Sequence, residues 1–241
     1  MYYDIYKFAD HVVKIDSLHQ RVHKQCKNYV CEEEPEFCIT ITSKDIQKEL
    51  EKSKDARTFP EDYLETLAVY RKLTEYLLKY DILLFHGSVI AVDGTGYLFT
   101  AKSGTGKSTH TRLWMELFGE RAVMINDDKP LLKLAGDEVI VYGTPWDGKH
   151  HLSTNTSVPL KAVCMLKRGT ENSIKPADKK MSYPALLQQV YRPADEAGMQ
   201  KTLYLLDKML SSVGLYSLSC NMTKDAAVVA YSGMNHGGNE K

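Results

Sequence analysis

Residues 101–109 read AKSGTGKST, the pattern G-x-x-x-x-G-K-[ST] of a phosphate-binding loop with Ala101 in place of the first glycine. Gly104 and Gly106 let the backbone curl so that successive N–H groups face one anion, and a helix starting at Lys107 adds its positive end. Lys107 supplies a full charge to the β- and γ-phosphates of a nucleotide, Ser108 suits Mg²⁺, and Thr109 reinforces the phosphate contacts. Ser103, Gly104, Thr105 and Gly106 complete the cradle. The alternative is a Gly-Ser-rich turn that happens to precede a helix.

Working outward, ILLFHGSVIAV (82–92) and GYLFTA (96–101) are β-rich runs divided by Asp93-Gly94-Thr95-Gly96, a sequence suited to a tight antiparallel hairpin. On the other side, a helix is predicted from Lys107 to Phe118 with Gly119 closing it, and Leu113, Trp114, Leu117 and Phe118 recur at core spacing. A strand over AVMIN (122–126) then ends in Asn126-Asp127-Asp128. Two carboxylates at the exit of a strand beside such a loop fit phosphoryl transfer, one holding Mg²⁺ and the other taking a proton. An Asp-Asp turn between strands is the plainer reading. A second hairpin is expected from LLKL to VIVY around Ala135-Gly136-Asp137, then a strand over AVCMLK. The rest reads as mostly helical, near 183–191, 195–212 and 224–232, before a frayed polar tail.

The first 43 residues read differently. YYDIYKF, HVVKI and FCITIT are short β-branched or aromatic runs, a small β layer; 44–57 is a mixed-charge helix or linker. Pro60 opens the clearest helix, with Leu64, Leu67, Ala68, Leu77 and Leu78 on one face. The expected organisation is a β-rich segment over 1–55 and a nucleotide-binding domain over 56–235, of the α/β (α+β) class. Apolar residues form 43% and charged residues 26% of the 241-residue chain, which excludes disordered and fibrous classes. Lysine plus arginine and aspartate plus glutamate number 31 each, which removes the global electrostatic case for nucleic acid or an anionic membrane. No apolar run approaches the ~20 residues of a membrane span, and a cytoplasmic protein is expected. Five cysteines without Cys-x-x-Cys spacing read as free thiols.

Taken together, FHGSVIAVDGTGYLFTAKSGTGKSTHTRLW (85–114) and MINDDKP (124–130) resemble the kinase core shared by HPr kinase/phosphorylase and ATP-dependent phosphoenolpyruvate carboxykinase. The resemblance covers roughly residues 82–168 and implies a mixed-sheet core that uses ATP and Mg²⁺. It places His86 near the reacting phosphate or metal and Asp127 and Asp128 on the family's carboxylate pair; Asp127 is assigned as base and Asp128 to the metal, with the two roles exchangeable. A full carboxykinase needs a substrate domain for which this chain has no room. The loop VYGTPWDGKHH (141–151) looks like that of smaller HPr-kinase-like proteins. Gly143, Pro145 and Gly148 shape it, Trp146 and Asp147 offer stacking and acidic groups, and Lys149 is the preferred second phosphate clamp. His150 and His151 are expected at the surface, and Arg168 and Arg192 are read as structural, with a phosphate contact as the alternative for either.

The expected activity is transfer of the γ-phosphoryl group to a hydroxyl, on a seryl side chain or a small-molecule alcohol. A nucleotide-dependent binding module and a phosphorylase or phosphatase acting on phosphoserine are the alternatives. Relatives in the resembled family assemble, so a dimer paired through the N-terminal β layer is also an expectation.

Overall fold

The computed structural model describes residues 1–52 and 59–236. The chain divides into two compact units, Met1–Tyr80 and Asp81–Lys241. The boundary at residue 55 placed the long helix with the nucleotide-binding domain, whereas it falls with the N-terminal unit.

In that unit β1 (Tyr2–Phe8) and β2 (His11–Ser17) form an antiparallel hairpin, helix α1 (Arg21–Gln25) follows, and β3 (Phe37–Thr40) joins β2 in parallel. Helix α2 (Ser43–Lys52) accounts for part of the mixed-charge run; residues 53–57 of it lie outside those described. Helix α3 (Glu61–Leu77) starts after Pro60, whose φ of −58° suits a helix entry. It buries Leu64, Ala68 and Leu77 as the periodicity predicts, together with an unexpected Glu65. That carboxylate is satisfied by the backbone N–H groups of Leu18 (2.6 Å) and His19 (2.9 Å). Arg71 on α3 grips Glu49 on α2 through two nitrogens at 2.5 and 2.7 Å, a bidentate pair that fixes the two helices.

The second unit is a nine-stranded mixed sheet. Its strands are β4 (Ile82–Leu84), β5 (Ser88–Val92), β6 (Thr95–Thr100), β7 (Ala122–Asn126), β8 (Leu131–Ala135), β9 (Glu138–Tyr142), β10 (Ser157–Arg168), β11 (Ser173–Pro176) and β12 (Gly214–Cys220). The order is β4-β8-β9-β10-β6-β5-β7, with β12 also on β10 and β11 on β12. Helix α4 spans Lys107–Phe118, α5 Lys179–Leu187, α6 Glu196–Ser212 and α7 Asp225–His236. Strand β5 is antiparallel to both β6 and β7, and β6 is parallel to β10, which is parallel to β12. Strands β6, β7, β10 and β12 therefore run the same way, and their C-terminal ends share one edge. In open α/β sheets, ligands bind outside that edge.

Both predicted hairpins form, the first turning at Asp93 and Gly94 with φ of 50° and 76°. The run 82–92 is two strands, because His86-Gly87 carries the chain from β4 to β5, at separate places in the sheet. Gly96 permits the crossing where β10 leaves β9 for β6: an added Cβ would lie 3.0 Å from Val158 and 3.1 Å from the Pro159 carbonyl. The mostly helical reading of the last third needs correction, since β11 and β12 lie within it. Serines at 217 and 219 dilute the apolar signal of β12, which is set by pairing with β10. The tail beyond residue 236 lies outside those described.

Helices α4 and α7 pack on Ile90, Phe99, Cys164 and Leu218. Trp114 is fully buried at the centre of this layer. Leu117 is 37% exposed, contrary to its expected place in the core; Phe118 takes that place, its ring 5.5 Å from Trp114 and 4.7 Å from Tyr231. All five cysteines are free thiols. Among the described residues no helix is long and apolar enough to cross a membrane.

Candidate functional site

The site is built at the C-terminal edge of β6 and β7. After β6 the chain turns through residues 101–106, with Gly104 at φ 76° and Gly106 at φ 121°, values that side-chain-bearing residues rarely adopt. Helix α4 starts directly at Lys107 and ends at Gly119, φ 54°, as the sequence predicts. The loop is held from behind by Arg168 at the end of β10: its guanidinium donates to the carbonyls of Gly104 (2.5 Å) and Thr105 (3.4 Å). Lys107 folds onto the loop and donates to the Ala101 carbonyl at 3.2 Å. Burial lowers the pKa of its ammonium, partly offset by the Asp128 and Asp127 carboxylates nearby.

At the end of β7 the buried Asn126 shapes the carboxylate turn. Its amide donates to Thr144 O and Oγ1, both at 3.0 Å, and its Oδ1 accepts from the N–H groups of Asp128 (2.9 Å) and Lys129 (2.6 Å), an Asx-type turn. Asp127 is only 5% exposed, and its Oδ1 accepts from Ser88 Oγ at 2.7 Å. Gly148 covers it closely, an added Cβ lying 3.1 Å from Asp127 Oδ2. Asp128 is paired with Lys129 and lies 3.3 Å from His86 Nε2. Burial alone would raise its pKa, but His86 and Lys129 prevail and hold it down to about 2. The other ring nitrogen of His86 meets Gln189 Oε1 at 2.9 Å.

One cleft of about 860 Å³ gathers most of the sequence candidates. Its lining combines Ser103, Gly104, Gly106, Lys107, Ser108 and Thr109 with His86, Asp127, Asp128 and the exposed Lys149. Thr105 is the exception, lining cavities beyond the loop instead. His150 also reaches the cleft, and His151 is exposed and pairs with Asp147 at 2.9 Å. Trp146 is buried, so it offers no stacking face as the sequence reading had it. Arg192 is exposed.

Ser88, Gln189 and Arg168 complete the site without having been picked for those roles. Ser88 follows His86-Gly87 and was legible as a neighbour; Gln189 is 103 residues from its partner and carries no local signal. Gly143 was read only as a turn former, yet a side chain there would run into the Thr154 and Ile125 carbonyls. Gly143→Ala is expected to cost roughly 1–3 kcal/mol through the backbone shift it forces, read as a fall of several degrees in melting temperature.

No family model matches the sequence, and no curated protein matches it. Among solved structures, the chain is similar to an HPr(Ser) kinase/phosphatase from Coxiella burnetii at 12% identity and a TM-score of 0.35, covering 64% of this chain and 95% of that one.

Proposed function

We propose that this chain is a Mg²⁺-dependent, ATP-using phosphotransferase that moves the γ-phosphoryl group to a hydroxyl acceptor, a seryl side chain or a small-molecule alcohol. One observation carries the reading: a glycine loop at a helix N-terminus and a carboxylate pair, one of whose members touches a histidine, line a single cleft. Loop amides and the start of α4 favour an anion. Lys107, freed from the Ala101 carbonyl, adds charge at the β- and γ-phosphates.

Ser108 Oγ and the Asp128 carboxylate are hard oxygen donors suited to Mg²⁺, which keeps most of its shell for phosphate and water. When bound, that ion offsets phosphate charge. Among the described residues no cluster of three or more acidic, histidine or cysteine side chains forms a dedicated metal cage, and Mg²⁺ at a phosphoryl-transfer site does not require one.

A carboxylate held at about 2 is a poor proton acceptor at neutral pH, which supports Asp128 as metal ligand and leaves Asp127 as base. Ser88 orients Asp127, and the Gly148 backbone packs close against its carboxylate. The acceptor hydroxyl gives its proton to Asp127 while its oxygen bonds the γ-phosphorus; the bond to the β,γ-bridging oxygen breaks and ADP leaves. His86, fixed by Gln189, positions Asp128. Lys149, in the lining of the same cleft, reaches the γ-phosphate.

Phosphorus-31 NMR of the protein with Mg-ATP and a pool of serine peptides and metabolite alcohols tests the reading. A new phosphomonoester signal, absent with Asp127→Asn, is expected; persistence of that signal in the variant would remove Asp127 from the role. Lys107→Ala is expected to weaken ATP at least 10-fold by calorimetry, the size of one charge-assisted contact to phosphate. Unchanged affinity would count against the loop as the nucleotide site.

A further inference from the structure

Two more cavities adjoin the glycine loop. One, of about 570 Å³, lies on the α4 side against Thr109, His110, Leu113 and Met222. The other, of about 610 Å³, lies between the ends of β6 and β10 and helix α5. Its walls are apolar, from Met165, Leu166, Ala185 and Leu186, while Lys102 and Lys167 stand at its rim.

The two cavities meet at Gly104, Thr105 and the end of β10, where Leu166, Lys167 and Arg168 line both, and diverge from there towards α4 and towards α5. Lys107 marks the β- and γ-phosphates of a nucleotide bound as proposed above, and the chain runs on through Ser108 to Thr109, towards the nucleoside. The cavity beside Thr109 is therefore left to the base. The apolar pocket shares Ser103 and Gly104 with the main cleft and includes Gln189, whose Oε1 meets His86 beside Asp128. It thus opens at the end where the γ-phosphate is transferred.

Its charge is uncompensated. No acidic residue lines it, and neither Lys102 nor Lys167 has an ion-pair partner among the described residues. Arg168, also in its wall, is committed to the Gly104 and Thr105 carbonyls. An apolar floor beneath unpaired ammonium groups complements a ligand with an apolar body and an anionic group.

We propose that this pocket holds the phosphoryl acceptor, and that the acceptor is an anionic amphiphile: a hydroxyl compound with an apolar body that fills the space between β10 and α5 and a carboxylate or similar anion that meets Lys102 and Lys167. The inference rests on the kinase reading for the acceptor's role, and the pocket's ligand chemistry is tested apart from it.

The test uses the full chain and the apolar anion 8-anilinonaphthalene-1-sulfonate, followed by fluorescence, with Mg-ATP affinity measured by calorimetry. The probe is expected to bind saturably with Mg-ATP present. Ala185→Trp, which fills the pocket from an exposed position of α5, is expected to weaken the probe at least 10-fold, and Lys102→Gln, at a residue that lines this pocket and not the one beside Thr109, about 3-fold. Mg-ATP affinity should be unchanged in both. Probe binding indifferent to both substitutions would overturn the proposal, as would displacement of the probe by ATP or an equal loss of ATP affinity in Ala185→Trp, either of which would put the base in this pocket. Lys102→Gln lies on the surface and keeps the test decisive if the tryptophan variant fails to fold. If an ester forms while the probe arms fail, only this inference is lost; if the probe arms hold and no acceptor is ever phosphorylated, the kinase reading is lost instead.

Discussion

Asp127→Asn is expected to lower the rate of phosphoryl transfer by 10²–10⁴, the usual contribution of a positioned general base, while ATP affinity changes less than about 3-fold. The substitution is close to isosteric. Ser88 Oγ, 2.7 Å from Asp127 Oδ1, can still donate to an amide oxygen, and Gly148 still covers the side chain. What is lost is the capacity to accept a proton, so the damage falls on turnover and spares nucleotide binding. Asp128→Asn should differ in kind. It removes the anion that His86 and Lys129 hold in the charged form, so the expected loss is in Mg²⁺ affinity, partly recovered at high Mg²⁺. Single-turnover rates and Mg²⁺ titrations of the two variants separate the roles. Mg²⁺-rescuable loss in Asp127→Asn with unrescuable loss in Asp128→Asn would exchange the assignments.

The parts of this site that the sequence made legible are those specified within a few residues. Gly104, Gly106 and Gly119 each need a backbone conformation that favours glycine, so the loop and both ends of α4 could be read directly. The hairpins around Asp93-Gly94 and Gly136 follow from the same local chemistry. The carboxylate pair was visible because an apolar run ends abruptly at Asn126. What supports those residues was not visible. Ser88 lies 39 residues from Asp127, Gln189 lies 103 from His86, and Arg168 lies 64 from Gly104, contacts made only when β5, β7 and β10 share an edge. Strand β12 was missed for a related reason: its place comes from β10, while its own serines argue for a loop. Helix α3 was read correctly as a helix and assigned to the other unit, since periodicity shows which face is buried and not what covers it.

Acid is expected to weaken the second unit through His110, one turn into α4 from the glycine loop. The ring is 3% exposed. It packs edge-on to Phe99 at 4.6 Å, and its Nε2 accepts from Trp114 Nε1 at 3.1 Å. The hydrogen bond requires the neutral ring, since a proton on Nε2 would face another donor, and burial takes the charge out of water. Burial accordingly lowers its pKa to about 4, against about 6.5 in an unfolded chain. Between those values the unfolded chain binds a proton that the folded one refuses, so stability is intact above pH 6.5 and is lost as the pH falls towards 4. The loss amounts to about 3 kcal/mol. His110→Gln removes the titrating group. Whatever it costs at pH 7, its stability should change by about 3 kcal/mol less than that of the wild type between pH 7 and pH 4. Urea unfolding followed by tryptophan fluorescence reads this unit alone, because both tryptophans, Trp114 and Trp146, belong to it. Parallel pH dependence in the two proteins would mean that His110 accepts its proton in the folded state, and that α4 opens to water where it meets the loop.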